Sequence, residues 1–288
     1  MDTLSIFKSI YNNVFCNTFS QTCYVFLCGG ANKENIRNQT RAILEKKHLQ
    51  VLYPEDLFIE MLNRNKKADL LEYENFLAEN ADIICVICES MGSAVELGAF
   101  VQNQKIRDKM VVVINQKFSR DKSFIMMGPV KHIKKEYVDR VVFYKKDELD
   151  DLGKKLQKCF RKIHKKTYFN KERSFDKLSA YIAFIPMVVY FYKEIERKQL
   201  FHGLKEFLKD LNSLPPQYNE LFNVAIKYLL KTGILVTDYC QSKNETVIAL
   251  SDKGDIEIHG VLSQSIASEK TILHDRIRCA ILKEQLNN

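Results

Sequence analysis

No secretory signal is expected. Met1 to Cys28 carries Lys8, Asn12, Asn13, Asn17 and Gln21, with no uninterrupted apolar block and no small-residue cleavage site. The chain also lacks a run of membrane length. The most hydrophobic stretch, Ala180 to Tyr192, contains Pro186 and is flanked by Lys177 and Lys193. A span needs about 20 apolar residues, so this stretch is expected to be a buried helix and no membrane role is expected. Metal spacing is absent as well. None of His48, His132, His164, His202, His259 and His274 pairs with a second ligand at a zinc-like interval, so no metal is expected. No Ser-His-Asp or Cys-His order places its partners on the same set of loops. These absences remove most hydrolase and metal mechanisms and leave carboxylate chemistry. Repeats and low-complexity tracts are missing too.

The eight cysteines are scattered, which points to free thiols in a reducing cytoplasm. Cys85 and Cys88 form a C-x-x-C pair inside the apolar run Ile83 to Cys88. On a strand, residues three apart point to opposite faces, so the two thiols are not expected to share a metal.

What is present is enough apolar material for a real core, 46% of 288 residues, and a net charge of +8. The charge is uneven. Lys154, Lys155, Lys158, Arg161, Lys162, Lys165, Lys166, Lys171 and Arg173 face a single acid, Glu172, within one short stretch. Such a run is either a solvated helix face or a surface for a phosphate backbone.

Hydrophobic periodicity predicts buried strands at Thr22 to Leu27, Gln50 to Tyr53, Asp82 to Cys88 and Met110 to Ile114, with a fifth at Arg140 to Tyr144. Helices are expected at 4–15, from an Asn32 N-cap to about Lys47, at Asp56 to Asn63, at Leu70 to Glu79 and at Ala94 to Gln102. Apolar strands alternating with helices indicate an α/β fold with a parallel, Rossmann-like sheet covered on both faces. After about residue 146 the pattern changes to helices over 146–166 and 174–194. Helix, helix, strand, turn and strand then run from Gln199 to Gly260, the order of a winged helix-turn-helix. The candidate recognition helix, Tyr218 to Lys231, has few basic residues, chiefly Lys227 and Lys231, which favours protein docking over nucleic-acid contact. The expected division is a catalytic domain over 1–150, a basic helical linker over 151–198 and a winged-helix domain with a C-terminal helix over 199–288.

Ligands of parallel sheets bind beyond the carboxyl ends of the strands. The loops expected there hold Cys28-Gly29-Gly30, Tyr53-Pro54-Glu55-Asp56 and Glu89-Ser90-Met91-Gly92-Ser93. The first has neither the G-x-G-x-x-G spacing nor G-K-[ST], so it is neither a dinucleotide fingerprint nor a P-loop. Its glycines mark a close ligand approach or a plain tight turn. Asp56 caps a helix or, with Glu55, binds ribose hydroxyls. Glu74 reads as a surface helix acid. Glu96 is the leading candidate for chemistry. It is expected in the first turn of a helix at the ligand edge, between Gly92 and Gly98, where an acid also serves as a cap.

Four segments, Tyr24 to Gly30, Tyr53 to Phe58, Glu89 to Phe100 and Phe124 to Pro129, together resemble the nucleoside 2-deoxyribosyltransferase-like effectors of bacterial retrons. The resemblance is specific over 24–130 and architectural beyond. It implies that Glu96 is the nucleophile at a sugar anomeric carbon and that Glu74 holds the place of a base-contacting aspartate. A second acidic position falls near Glu89 or Ser90. No counterpart of the transferases' C-terminal tail is visible. The resemblance further implies an N-glycosidase toxin of an antiphage system, with NAD as substrate and no cofactor. Its partners would be the retron reverse transcriptase and its RNA–DNA hybrid (msDNA), in a homo-oligomer or higher assembly. The basic stretch then has a natural partner. The alternatives are a nucleoside 2-deoxyribosyltransferase or nucleotide hydrolase of salvage, and a non-catalytic nucleotide sensor.

Overall fold

A computed structural model of the protein describes residues 2–19, 23–32, 34–46, 49–54, 70–168, 175–240, 245–263 and 270–287. The helix expected over Asp56 to Asn63 lies outside these residues. The chain forms two units, Thr22–Lys171 and a second made of Met1–Gln21 with Glu172–Asn288.

The first unit is built on strands β1 (Tyr24–Cys28), β2 (Gln50–Leu52), β3 (Ile83–Cys88), β4 (Met110–Asn115) and β5 (Val141–Tyr144). They form one sheet in the order β2-β1-β3-β4-β5, and every pairing is parallel. β1 is buried along its whole length, and β3 and β4 are buried up to their last residue. Two-sided burial requires helices on both faces, because a parallel sheet cannot leave one face wet.

With α1 at Thr3–Ile10 in the second unit, the longer described helices of the sheet unit are α2 (Ile36–Glu45), α3 (Leu70–Asn80), α4 (Met91–Gln102) and α5 (Leu149–Tyr168). Ile36 and Leu44 of α2 and Leu152, Leu156 and Phe160 of α5 share one core with Val25, Leu27, Cys85, Ile87 and Val113. The alternate strand residues, Phe26, Cys28, Ile84, Val86 and Val112, point to the opposite face, where α3 and α4 bury Leu77, Ala78, Leu97 and Phe100. Two helix starts differ from expectation. α2 begins after Asn35, three residues later than the Asn32 cap. α4 begins at Met91 with Ser90 as its cap, so Gly92 and Ser93 are helical and not part of a loop.

The second unit contains α1, extended by a π-helical turn (Tyr11–Phe15) and a last turn (Cys16–Phe19). It continues with α6 (Leu178–Tyr192), β6 (Glu194–Glu196), α7 (Arg197–Asp210), α8 (Tyr218–Lys231), β7 (Leu235–Cys240), β8 (Glu245–Leu250), α9 (Asp252–Ser263) and α10 (Lys270–Asn287). The three strands form an antiparallel sheet in the order β6-β8-β7. Gly233, at φ 70°, adopts the left-handed geometry that ends α8. α6 is buried at every residue but Ala183, as its apolar sequence requires. No described helix is long and apolar enough to cross a membrane.

The expected boundaries at 150 and 198 do not match these units. α5 packs on the sheet and belongs to the first unit, and residues 1–21 belong to the second. The cause is aromatic packing. Phe7, Tyr11 and Phe15, at helical spacing on the N-terminal helix, meet Phe184 of α6 and Phe207 of α7 at centroid distances of 5.1–6.3 Å. Glu284 of α10, almost fully buried, accepts hydrogen bonds from Thr3 and from the Tyr192 hydroxyl. Glu284→Ala leaves the buried Tyr192 hydroxyl and the half-buried Thr3 hydroxyl without their acceptor and is expected to destabilise the second unit by about 1–3 kcal/mol. Thermal melts should show it as a lower transition temperature, with the sheet unit's amide-exchange protection unchanged.

Candidate active site

Glu96 projects from the second turn of α4, not the first. The capping work is done elsewhere. Ser90 Oγ accepts the Ser93 N–H at 3.2 Å, and Ser93 Oγ accepts the N–H groups of Glu89 and Ser90 at 3.1 and 3.0 Å. Ser90 and Ser93, expected to line the substrate site, form this cap, and Ser93 is buried. The helix start is satisfied without an acid, so capping no longer explains Glu96.

Glu89 also differs from expectation. Its two carboxylate oxygens accept the backbone N–H groups of Ile36 and Arg37, at 2.8 and 3.1 Å. It therefore caps α2 across the β1–β3 crevice, where the strand order reverses. In many doubly wound sheets that helix start receives a phosphate. Here a side chain of the protein fills it. Both oxygens of this carboxylate are engaged by the helix start, so its work here is capping.

The glycines after β1 fit the same packing. A Cβ on Gly29 would press on the Arg37 side chain at 3.0 Å, and one on Gly30 would overlap the Asn35 amide. Their smallness makes room for the α2 start. Gly92 and Gly98 differ, because a Cβ at Gly92 would meet only Ser90 Oγ at 3.9 Å and one at Gly98 nothing within 4 Å. Tyr53 is buried. Its hydroxyl donates to Asn38 Oδ1 at 2.6 Å, and the guanidinium groups of Arg37 and Arg41 lie 4.3 and 4.4 Å from its ring centre. Tyr53 thus anchors α2. Glu55 and Asp56 lie outside the described residues.

Glu74 is half-buried on α3, not the surface acid that its sequence context suggests. Glu96 and Glu74 come from different helices, and both carboxylates act electrostatically on Cys28. The Cys28 thiol is pushed well above its ordinary pKa, first by burial and then by the negative charges of Glu96 and Glu74. Cys88 is raised by burial and by Glu96. Cys85 lies on the other face, where burial and Cys159 raise it. The C-x-x-C pair is split as strand geometry requires. A thiol held protonated between two carboxylates is a poor nucleophile. Among the described residues no three His, Cys, Asp or Glu side chains are grouped to hold a metal.

Sequence reasoning missed Asn35, Arg37 and Asn38 as supports of this edge. It also missed Asp82, a buried carboxylate that accepts the Tyr24 N–H at 3.3 Å and ties β1 to the start of β3. Spacing gives no sign of these links, since Glu89 and its partners are 52 and 53 residues apart. The cations of α5 are legible in sequence, and the structure orders them. Lys154, Lys158, Arg161 and Lys165 are exposed at a helical interval that makes one stripe. Beside it, Lys155 pairs with Asp151 at 2.7 Å and Lys162 with Asp139 at 2.8 Å. Lys166 is in α5, and its side chain lies outside the described set.

An α/β domain with two carboxylates at the carboxyl edge of a parallel sheet, joined to a helical unit with a small antiparallel sheet, is the class this architecture defines. Residues 33–236 match the model of the family described as STM3845 retron effector protein, and the chain belongs to that family. It is also similar to two curated proteins of Escherichia coli. One, described as "Retron Ec86 putative ribosyltransferase/DNA-binding protein", is 35% identical over 164 residues, 51% of this chain and 53% of the relative. The other, "Retron Ec73 putative ribosyltransferase/DNA-binding protein", is 36% identical over 119 residues, 38% of this chain and 37% of the relative. The chain thus spans about half or less of the length of the curated relatives it matches.

Glu89→Ala is expected to cost about 1–3 kcal/mol through loss of two charge-assisted hydrogen bonds. Hydrogen exchange should show reduced protection of the Ile36 and Arg37 amides. Iodoacetamide at neutral pH should modify exposed Cys16 and Cys279 in the native protein and leave Cys28 and Cys85 unmodified until the chain is unfolded. Rapid native labelling of Cys28 would contradict its protonated, enclosed setting.

Proposed function

We propose that the protein is the N-glycosidase toxin effector of an antiphage retron, hydrolysing the bond between ribose and nicotinamide in NAD in the cytoplasm. The observation that carries this reading is the placement of Glu96 one turn into α4, beyond a helix start already capped by Ser90 and Ser93, with Glu74 near enough to act on the same buried Cys28. The relatives' description as ribosyltransferases supports chemistry at a ribose anomeric carbon. Glu96 supplies a carboxylate oxygen that attacks C1′ or stabilises its oxocarbenium-like transition state. The C1′–N bond breaks, and its electron pair neutralises the cationic nicotinamide ring, so no general acid is needed. Water then attacks C1′, giving ADP-ribose and freeing the carboxylate with loss of a proton. Glu74 orients the leaving base.

The β6-β8-β7 sheet with α6, α7 and α8 supports reading the second unit as a winged helix-turn-helix. The exposed stripe Lys154, Lys158, Arg161 and Lys165 supports contact with the phosphates of the retron's RNA–DNA hybrid, held with its reverse transcriptase in an oligomeric complex.

The test follows nicotinamide release from NAD by the purified protein, alone and with the reverse transcriptase and hybrid. Glu96→Gln is expected to lower the rate by about 10³-fold or more, on the scale seen when a nucleophile is removed. Glu74→Gln should lower nicotinamide release far less. If a purine nucleotide is the substrate instead, Glu74→Gln should cost about 10²- to 10⁴-fold, the worth of a general acid. Undiminished release by Glu96→Gln would sink the carboxylate mechanism.

A further inference from the structure

The second unit holds a cleft of about 540 Å³ where β6 turns into α7, walled by Arg197, Lys198, Phe201, His202, Asn223 and Thr246 among others. Its volume is within the roughly 300–1,000 Å³ range of small-ligand sites. Its chemistry is specific. Phe201 is half-buried, and its ring is braced by Tyr218 and Phe222, each with its centroid at 5.1 Å. His202 is exposed, with its ring perpendicular to Phe201 at 5.3 Å. The Lys205 ammonium lies 5.9 Å from the Phe201 ring centre. Arg197 donates from Nη2 to Asn223 Oδ1 at 2.7 Å, and Asn223 in turn donates from Nδ2 to the Asn219 carbonyl at 2.7 Å. The guanidinium is therefore held in the wall and does not sweep through solvent. Around the cleft Arg197, Lys198 and Lys205 stand against one lining acid, Glu196.

We propose that this cleft binds one unstacked nucleotide of a single-stranded nucleic acid, with its base against Phe201 and its phosphate at Arg197 and Lys198. A braced aromatic ring beside fixed cations is the arrangement that holds single strands, since every base offers a π-face and every linkage a phosphate. Duplex reading by α8 fits poorly. Tyr218, Leu221, Phe222, Val224, Ala225, Ile226, Tyr228 and Leu229 are buried, and the exposed positions of α8 are Asn219, Glu220 and Lys231. That face has neither the width nor the donors of a helix that enters a major groove. A concave cleft excludes a base that stays stacked in a duplex and admits one that is splayed out. A second cleft in the same unit carries Asp252 and Asp255 against Lys193 and Arg278. Its balanced charge lacks this bias toward phosphate.

The inference deepens the nucleic-acid part of the reading above and uses none of the residues proposed for catalysis. The experiment measures anisotropy of a short fluorescein-labelled oligothymidylate with the full chain, against a blunt duplex and against thymidine monophosphate as competitor. The strand is expected to bind more tightly than the duplex, and Phe201→Leu and Lys198→Glu to weaken it by about fivefold or more. Glu96→Gln should bind like the parent, so a failure of the catalytic reading leaves this result distinct. An iodouracil-substituted strand should crosslink to Phe201 or His202. If Phe201→Leu unfolds the unit, Lys198→Glu and His202→Ala, both at exposed positions, decide. Parental affinity in these variants, or crosslinks confined to α5, would overturn the proposal. Equal affinity for the mononucleotide and the strand would overturn the assignment to a strand.

Discussion

Strands β1, β3 and β4 expose almost nothing to water on either face, and this two-sided burial constrains everything else in the sheet unit. Backbone groups in such a sheet are satisfied only by parallel neighbours, and its side chains only by helices above and below. Polar chemistry is driven to the carboxyl edge, where strands give way to helix starts. Glu89, Glu96, Ser90 and Ser93 all follow β3 within eight residues of its end for this reason. The interior contributes rigidity, and the edge contributes function.

At that edge, similar carboxylates have been given different work by position. Glu89 faces the α2 side and fills a helix start that another sheet of this kind offers to phosphate. Glu96, seven residues on, lies on the α4 side and acts with Glu74 on a thiol that burial keeps neutral. The consequence is that the Ile36 and Arg37 N–H groups at the β1–β3 crevice are already taken by a side chain of the protein. The serine cap of α4 completes the division, because it removes the need for an acid in the first turn and leaves Glu96 one turn further along.

The second unit is governed by aromatic packing. Phe7, Tyr11 and Phe15 insert against Phe184 and Phe207, so the first residues of the chain are part of the core of the last hundred. The same habit buries most of α8 and withdraws it from any wide contact surface. Basic character collects on the exposed stripe of α5 in the first unit and at the β6–α7 corner of the second.

The sequence by itself determined the five parallel strands, most of the longer helices and their order, but not the short strand β6 or the helix α9. Period-two and continuous apolar runs specified the five parallel strands to within two residues at each end, and Pro215-Pro216 with Gly233 bounded α8, since these signals are local backbone and burial preferences. It also singled out Glu96 as the carboxylate to watch. Only tertiary structure decided which acids act on the same thiol. Glu74 looked like a surface acid because its partners, Cys28 and Glu96, are distant in the chain. Glu89 looked available because the N–H groups it accepts belong to a helix about fifty residues away. Gly29 and Gly30 looked like room for a ligand, and the structure assigns that room to Arg37 and Asn35. The assignment of residues 1–21 to the C-terminal unit was hidden for the same reason. Contacts between segments far apart in sequence leave no periodicity, and they are what converts a set of strands and helices into a particular site.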